Sequence, residues 1–346
     1  MSYQLASREV RADFAPSGKH ATDIGFQAIV GRSPALLKAI QFSMRVATRR
    51  GTAVLIVGDT GTGKGLFALG IHYASPEAQE PFVTVNCAAI PANLLESELF
   101  GHERGAFTDA RARKLGLLEL AGAGTLFLDE ISELPPNLQP KLLRALEERR
   151  FRRVGGTAEI EVRCRLIASS NASFEDALSE GRFREDLFYR LNVLRINIPP
   201  LKERGDDRVI LARYFMEQIS HEMGVAPKTF SADALDILKL HSWPGNVREL
   251  KNVIQRALTL SDGPEIDASH LSIFERHGNG EGRDGDPAQA IHIPDTGMTL
   301  AEIEAEALRI TLRLTGGNRS AAARILAISR PTIHRKIRDY GLEEGV

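Results

Sequence analysis

Cysteine is nearly absent from this chain. Cys87 and Cys164 are the only two among 346 residues. That is too few for a disulfide framework, and they lack the paired spacing of a metal-ligand cluster, so both are expected to be small core residues in a reducing compartment. A charge excess of either sign is lacking too: 44 basic residues face 45 acidic ones, for a formal net charge of -1. This excludes a general polyanion-binding surface, and any basic face must be local. No apolar run approaches the roughly 18 residues of a membrane span, and residues 1–27 are polar and mixed in charge, unlike a signal peptide. A cytoplasmic location with no membrane partner is expected.

With 43% hydrophobic residues, the chain is long enough for two or three globular domains of about 100 to 200 residues each. Residues 1–27 form a short extension, well below the roughly 100 residues of a sensory domain, so control by a separate regulatory protein is expected. Across 28–199, short apolar runs (Ala53–Val57, Phe82–Val85, Thr125–Leu128, Leu166–Ser169) alternate with helical patterns, which predicts an α/β domain with a mostly parallel sheet. Residues 200–273 lose the strand signal. They read as helices, including Ala232–Leu240 and Val247–Leu260, broken at Trp243-Pro244-Gly245, and predict a small helical lid. Residues 274–297 have the Gly/Asp/Pro composition of a linker, and 298–346 return to helical periodicity.

Two of the apolar runs end in chemistry. Val54-Leu55-Ile56-Val57 leads into Gly58-Asp59-Thr60-Gly61-Thr62-Gly63-Lys64-Gly65 and then a helical pattern, the strand-loop-helix context of a phosphate-binding loop. Its glycines let backbone amides turn inward around phosphate oxygens, the helix N-terminus adds positive potential, and Lys64 reaches the β and γ phosphates of ATP. Gly65 occupies the usual Ser/Thr position, so no hydroxyl is offered to Mg²⁺ there. The run Thr125–Leu128 ends in Asp129 and Glu130. Asp129 suits Mg²⁺ binding through water, and Glu130 suits orienting or deprotonating the attacking water. The bland alternatives are a Gly-rich surface turn and a helix cap.

At the other end, Thr299 with Glu302 forms a capping box before Leu300, Ile303, Ala307, Ile310 and Leu314, and Gly316-Gly317 stops that helix. Asn318 and Ser329 can cap two further short helices, with Pro331 in the first turn of the last. From Arg309 to Arg338 there are eight basic residues and no acidic one. A helix-turn-helix contacting DNA phosphates is predicted.

Between the two nucleotide motifs, Gly105-Ala106-Phe107-Thr108-Asp109-Ala110 resembles in five of six positions the GAFTGA loop of the NtrC-like AAA+ enhancer-binding activators. Members of that family use the loop to touch the sigma-54 subunit of RNA polymerase, and Asp109 is the departure. The resemblance extends from about Ile29 to Leu342 with the motifs in order. It implies an AAA+ P-loop ATPase domain of α/β class with a helical lid, followed by an all-α Fis-type helix-turn-helix domain.

Residue by residue, the resemblance makes Asn86 the switch asparagine that holds the catalytic glutamate, and Ser170 with Asn171 the sensor I pair. Arg184 and Arg190 become the arginines contributed to a neighbouring subunit's γ-phosphate, and Arg248 the sensor II arginine. Arg330, Thr332, His334 and Arg335 fall on or near the DNA recognition helix. The function implied is a sigma-54-dependent activator that binds enhancer DNA as dimers, assembles into a ring, expected to be a hexamer, and hydrolyses ATP to remodel the closed polymerase holoenzyme complex into an open one. An ATP-responsive DNA-binding regulator or repressor that does not engage sigma-54 is the alternative. Its motive is Asp109, whose Cβ and charge are expected to restrict the loop backbone and alter partner choice.

Overall fold

A computed structural model of the protein describes residues 25–49, 51–171, 174–271, 299–315, 318–319, 322–323, 326 and 328–341. Most of the expected N-terminal extension and the linker lie outside the described residues. The chain divides into two units, Met1–Phe274 and Glu275–Val346.

In the first unit the β-branched and leucine-rich runs form a five-stranded sheet: β1 (Val54–Val57), β2 (Phe82–Asn86), β3 (Thr125–Asp129), β4 (Arg165–Ser170) and β5 (Leu194–Asn197). All pairings are parallel, in the order β2-β3-β4-β1-β5. Side chains alternate between two cores, as the two-residue period of a strand requires. Leu55, Val57, Leu126, Leu128, Leu166 and Ala168 face one layer of helices, which includes α3 (Ala92–Phe100) and α4 (Gln139–Glu148). Val54, Ile56, Phe127, Ile167 and Ile196 face the other, formed by α1 (Pro34–Ala47) and α2 (Lys64–Tyr73). Four strands fall where the apolar runs predict them, within a residue at each end. Strand β5 is the one the sequence did not announce, because Arg195 and Asn197 interrupt its apolar positions and only Ile196 is buried.

A short helix α5 (Glu185–Leu191) precedes β5, and the lid follows with α6 (Asp207–Met223), α7 (Ala232–Leu240) and α8 (Asn246–Leu260). Its core holds Leu211, Phe215, Ile219, Leu238, Trp243, Leu250 and Ile254. The expectation of a strand-free lid needs a small correction. Thr229–Phe230 pairs in parallel with Glu265–Ile266, which supplies backbone partners just before Ser231 caps α7 through the Ala234 amide at 3.2 Å. Among the described residues, no helix is long and apolar enough to cross a membrane.

The second unit contains α9 (Leu300–Leu314) and α10 (Arg330–Asp339). The Thr299–Glu302 capping box is formed, and Ser329 accepts from the Thr332 amide at 3.2 Å. Between these helices, Arg319, Ala322 and Ala323 are helical, with Ala322 N–H donating to Asn318 O at 2.9 Å. Ile325 lies outside the described residues. The expected stripe on α9 is met in part: Ile310 is buried, and the side chains of Leu300 and Leu314 lie outside the described residues. Leu308 and Leu312 pack on Ala322, Ala323, Ile333 and Ile337, whereas Ile303 and Ala307 stay half-exposed.

Candidate functional site

The loop after β1 is built for close approach. Gly61 and Gly63 have φ of +79° and +102°, a region that side-chain-bearing residues seldom enter. A Cβ on Gly61 would sit 2.2 Å from the Gly245 carbonyl oxygen. The Lys64 ammonium is buried and donates to the carbonyls of Gly58 at 2.8 Å and Asp59 at 3.2 Å. Thr62 Oγ1 also donates to Asp59 O, at 2.8 Å. Burial pushes the Lys64 pKa down, against the opposing pull of Asp129 and Glu130. Gly65 enters α2 as its second residue, where a backbone amide has no intrahelical acceptor.

The strand ends meet beside this loop. Ser169 Oγ on β4 donates to Asp129 Oδ1 on β3, and the Glu130 amide donates to the same hydroxyl at 3.3 Å. Glu130 itself adopts φ +55° and ψ +50°, the left-handed region, an uncommon and costly conformation for a residue with a side chain. The resemblance pointed to Ser170 and Asn171; the hydroxyl that touches Asp129 belongs to Ser169. Two-residue alternation could have found it, since Phe127 and Asp129 share a sheet face with Ile167 and Ser169. Ser170 is buried and its hydroxyl makes no hydrogen bond among the described residues. Asn171, half-buried, follows directly after β4. Asn86 lies opposite Asp129 in the β2–β3 register, and its Oδ1 accepts from the amides of Ala88 at 2.8 Å and Ala89 at 3.1 Å. In this conformation Asn86 caps its own turn.

The lid docks on the same loop through residues that the motifs did not reveal. Asn246 is buried with φ +52°; its Nδ2 donates to Thr60 O at 3.0 Å and its Oδ1 accepts from the Leu201 amide at 2.7 Å. The Val247 amide reaches Gly61 O at 3.0 Å. Arg248, which follows it on the first turn of α8, has its Cβ 3.1 Å from where a Gly61 Cβ would lie, beside the loop. Arg204, its pKa pushed down to about 10 by burial, donates to Thr62 O at 3.0 Å. Asp207 at the start of α6 is buried and accepts from the amides of Arg32 at 2.6 Å and Ser33 at 3.1 Å. That ties the segment before α1 to the lid.

Arg184 caps the start of α5 and Arg190 lies in its last turn; among the described residues neither reaches a group of the nucleotide loop. Arg184 forms an exposed two-point pair with Asp186, at 3.0 and 2.6 Å. Arg190 Nη2 donates to Leu146 O at 3.1 Å. Within one chain, Arg184 is thus held in an ion pair with Asp186.

The 105–110 loop is short and closed on itself: the Gly105 amide donates to Ala110 O at 2.8 Å, and the Ala110 amide to Phe107 O at 2.9 Å. Gly105 takes φ +81° and Ala110 is buried. Phe107 is 43% exposed, its ring edge-on to buried His102 at 4.9 Å between centroids. Ala106 abuts Gly155 of a neighbouring loop, where a Cβ would approach to 2.8 Å. Below, half-buried Arg153 donates to Glu103 at 2.7 Å and to Glu119 at 2.9 Å. Burial works against the Glu119 carboxylate, and the Arg153 guanidinium outweighs it, leaving its pKa below the usual range. Thr108 and Asp109 are exposed. Asp109 is not among the positive-φ residues, so an aspartate carries no left-handed backbone strain in this conformation, and what it adds over glycine is a side chain and a charge.

In the second unit Thr332 is half-buried, while His334 and Arg335 are exposed on α10. The backbone of Arg330 begins that helix; its side chain lies outside the described residues. The basic end is partly neutralised by α9, since Lys336 pairs with Glu304 at 2.5 Å and Arg309 pairs with Glu306. Arg335 and Arg338 make no ion pair among the described residues.

Comparison with known proteins agrees with these motifs. Residues 29–197 match the model of the sigma-54 interaction domain, 202–285 that of an AAA+ ATPase lid domain, and 299–340 that of the Fis family of bacterial regulatory proteins. Over 319 residues the chain is 44% identical to the transcriptional regulatory protein FlbD of Caulobacter vibrioides, covering 90% of this chain and 70% of FlbD. It is 42% identical to the regulatory protein AtoC of Escherichia coli, covering 91% and 68%. Crystal structures of NtrX from Brucella abortus in complex with ADP and with ATP superimpose with TM-scores of 0.71 and 0.68, at 37% and 36% identity, each over 90% of this chain and 69% of NtrX. The chain belongs to the NtrC-like family of sigma-54-dependent transcriptional activators, built from a nucleotide-binding AAA+ ATPase with its lid and a Fis-type helix-turn-helix.

Proposed function

We propose that ATP is turned over at the ends of β1, β3 and β4 and that the 105–110 loop passes the resulting movement to sigma-54. The supporting observation is the convergence of Lys64, Asp129, Glu130 and Ser169, with the two carboxylates electrostatically coupled to a buried ammonium. Residues Gly58 to Gly65 cradle the phosphates through amides and Lys64, and Arg248 meets the nucleotide from the lid. Glu130 orients and deprotonates water. Asn86, whose side-chain oxygen is occupied, has only its NH₂ to offer Glu130. Asp129, with no hydroxyl offered at Gly65, would hold Mg²⁺ through water, which suits an ion that keeps most of its shell from water and phosphate and needs only one or two carboxylates. When bound, the ion neutralises charge on the phosphates.

Arg184 and Arg190 serve the nucleotide of an adjacent protomer, in a ring that we take to be a hexamer assembled from dimers. Phe107 and Thr108 present the contact surface to the sigma-54 holoenzyme, with Gly105, Ala106 and Ala110 shaping the loop. Thr332, His334 and Arg335, with Arg330, contact enhancer DNA. The working division is 28–199 for the ATPase core, 200–273 for the lid and 298–346 for DNA binding. The decisive experiment is open-complex formation by the purified protein with sigma-54 polymerase and ATP. Wild type is expected to open a cognate promoter and Lys64→Ala to bind no nucleotide and open none. ATP hydrolysis without opening on any enhancer would favour the regulator that does not engage sigma-54.

A further inference from the structure

Helix α4 touches the two arginine positions with its two ends. Its last turn accepts Arg190 at Leu146 O, and its first residue, Gln139, holds the segment that leads into Arg184. Gln139 is fully buried, and its carboxamide makes three hydrogen bonds. Nε2 donates to Arg182 O and to Leu134 O, both at 2.9 Å, and Oε1 accepts from the Arg184 amide at 2.8 Å. A buried carboxamide with donors and acceptor all satisfied has one orientation. It fixes the chain on either side of Phe183, whose ring packs on Phe174.

The third partner lies on a different path. Leu134 ends the 3₁₀ turn Ile131–Glu133 that follows Glu130 directly. One side chain therefore ties the backbone leaving the catalytic carboxylate to the backbone entering the exposed arginine. Arg184 needs such support, because its own side chain is exposed and pairs with its neighbour Asp186, a contact too weak to aim a guanidinium.

We propose that Gln139 is a positioning residue, setting the backbone from which Arg184 reaches into a neighbouring protomer's nucleotide site. The assignment rests on the trans reading of Arg184. Removing the carboxamide leaves the P-loop and Asp129 without a lost contact, frees the Leu134 carbonyl on the Glu130 side and displaces an arginine that another subunit uses; rescue in mixed rings separates the two effects. A misplacement of about 1 Å in such a group costs on the order of 100-fold in rate.

The test uses the full chain and compares Gln139→Met with Arg184→Ala. Each is expected to bind a fluorescent ATP analogue like wild type, and to lose turnover mainly in kcat, by roughly 100-fold for Gln139→Met. Each is then mixed with Glu130→Ala, which cannot turn over its own ATP and has intact arginines. Activity restored in both mixtures places the Gln139 defect in trans. Restoration of Arg184→Ala but not of Gln139→Met would overturn this assignment alone, as would unchanged turnover by Gln139→Met. Failure to restore Arg184→Ala itself would overturn the trans reading, and this assignment with it. If Gln139→Met binds no nucleotide because it does not fold, Gln139→Glu, which keeps the acceptor for the Arg184 amide, is read in the same mixtures.

Discussion

The strand-end site and the α5 arginines differ in how far one chain completes them. At the strand ends, Asp129, Ser169 and Lys64 are held by hydrogen bonds to neighbouring strands and to the loop itself. On α5, Arg184 rests on its neighbour Asp186 and Arg190 on a helix-end carbonyl, contacts that an incoming phosphate can replace. The first region is organised within one chain, and the second is the one that the proposed trans role would complete on assembly. Under the proposed trans role, a guanidinium that must leave Asp186 to act would make hydrolysis report on the presence of a neighbour.

The sharpest way to break this contrast is Arg184→Ala. Loss of a trans arginine is expected to lower turnover by about 10³-fold or more while nucleotide binding holds; steady-state ATPase assays at ring-forming concentration check it, and unchanged turnover would erase the distinction. Glu130→Ala should bind ATP and turn over about 10²- to 10⁴-fold more slowly, and unlike Arg184→Ala it should remain inactive at its own site whatever neighbour it is given. Ser169→Ala removes the hydroxyl that aims Asp129 and is expected to cost about 10- to 100-fold in Mg²⁺-dependent activity, visible as a weaker response in a Mg²⁺ titration. Asp109→Gly lies in neither region. With no strain to relieve at Asp109, ATPase activity and melting temperature should stay at wild-type values, and only activation through sigma-54, with its salt dependence, should move.

The smallest expected effect is at the thiols. Burial pushes Cys87 up to about 12 and Cys164 up to about 11, so both stay protonated at neutral pH and should react slowly with a thiol reagent until denaturant is added. The raised values stabilise the protonated thiols of the fold relative to an unfolded chain that ionises sooner. No cost arises below the ordinary thiol value of 9.0, and stability falls as pH rises beyond it, because the unfolded thiols then lose protons first. Urea midpoints at pH 8 and pH 10 give the sign.

What the sequence made legible was contiguous. The loop at Gly58 and the carboxylates at Asp129 could be placed because each follows an apolar run directly, and the caps at Thr299 and Ser329 because a cap acts within three residues. What it hid depends on distance along the chain. Ser169 meets Asp129 only once β3 and β4 are paired, and Asn246 meets Thr60 across 186 positions. Strand β5 escaped notice because an edge strand buries one face and so alternates with polar residues. On α9 the expected Ile310 is buried, but Leu308 and Leu312 were missed, because periodicity shows an apolar face without showing which partner covers it.

The backbone at Glu130 has a consequence for how this protein can change. Its φ of +55° is one that glycine adopts freely and glutamate at a cost of about 1 to 2 kcal/mol. A Glu130→Gly chain is therefore relieved of local strain while deprived of its carboxylate. With Glu130 in its proposed role, a sturdier local backbone and ATP turnover ask for different residues at this one position.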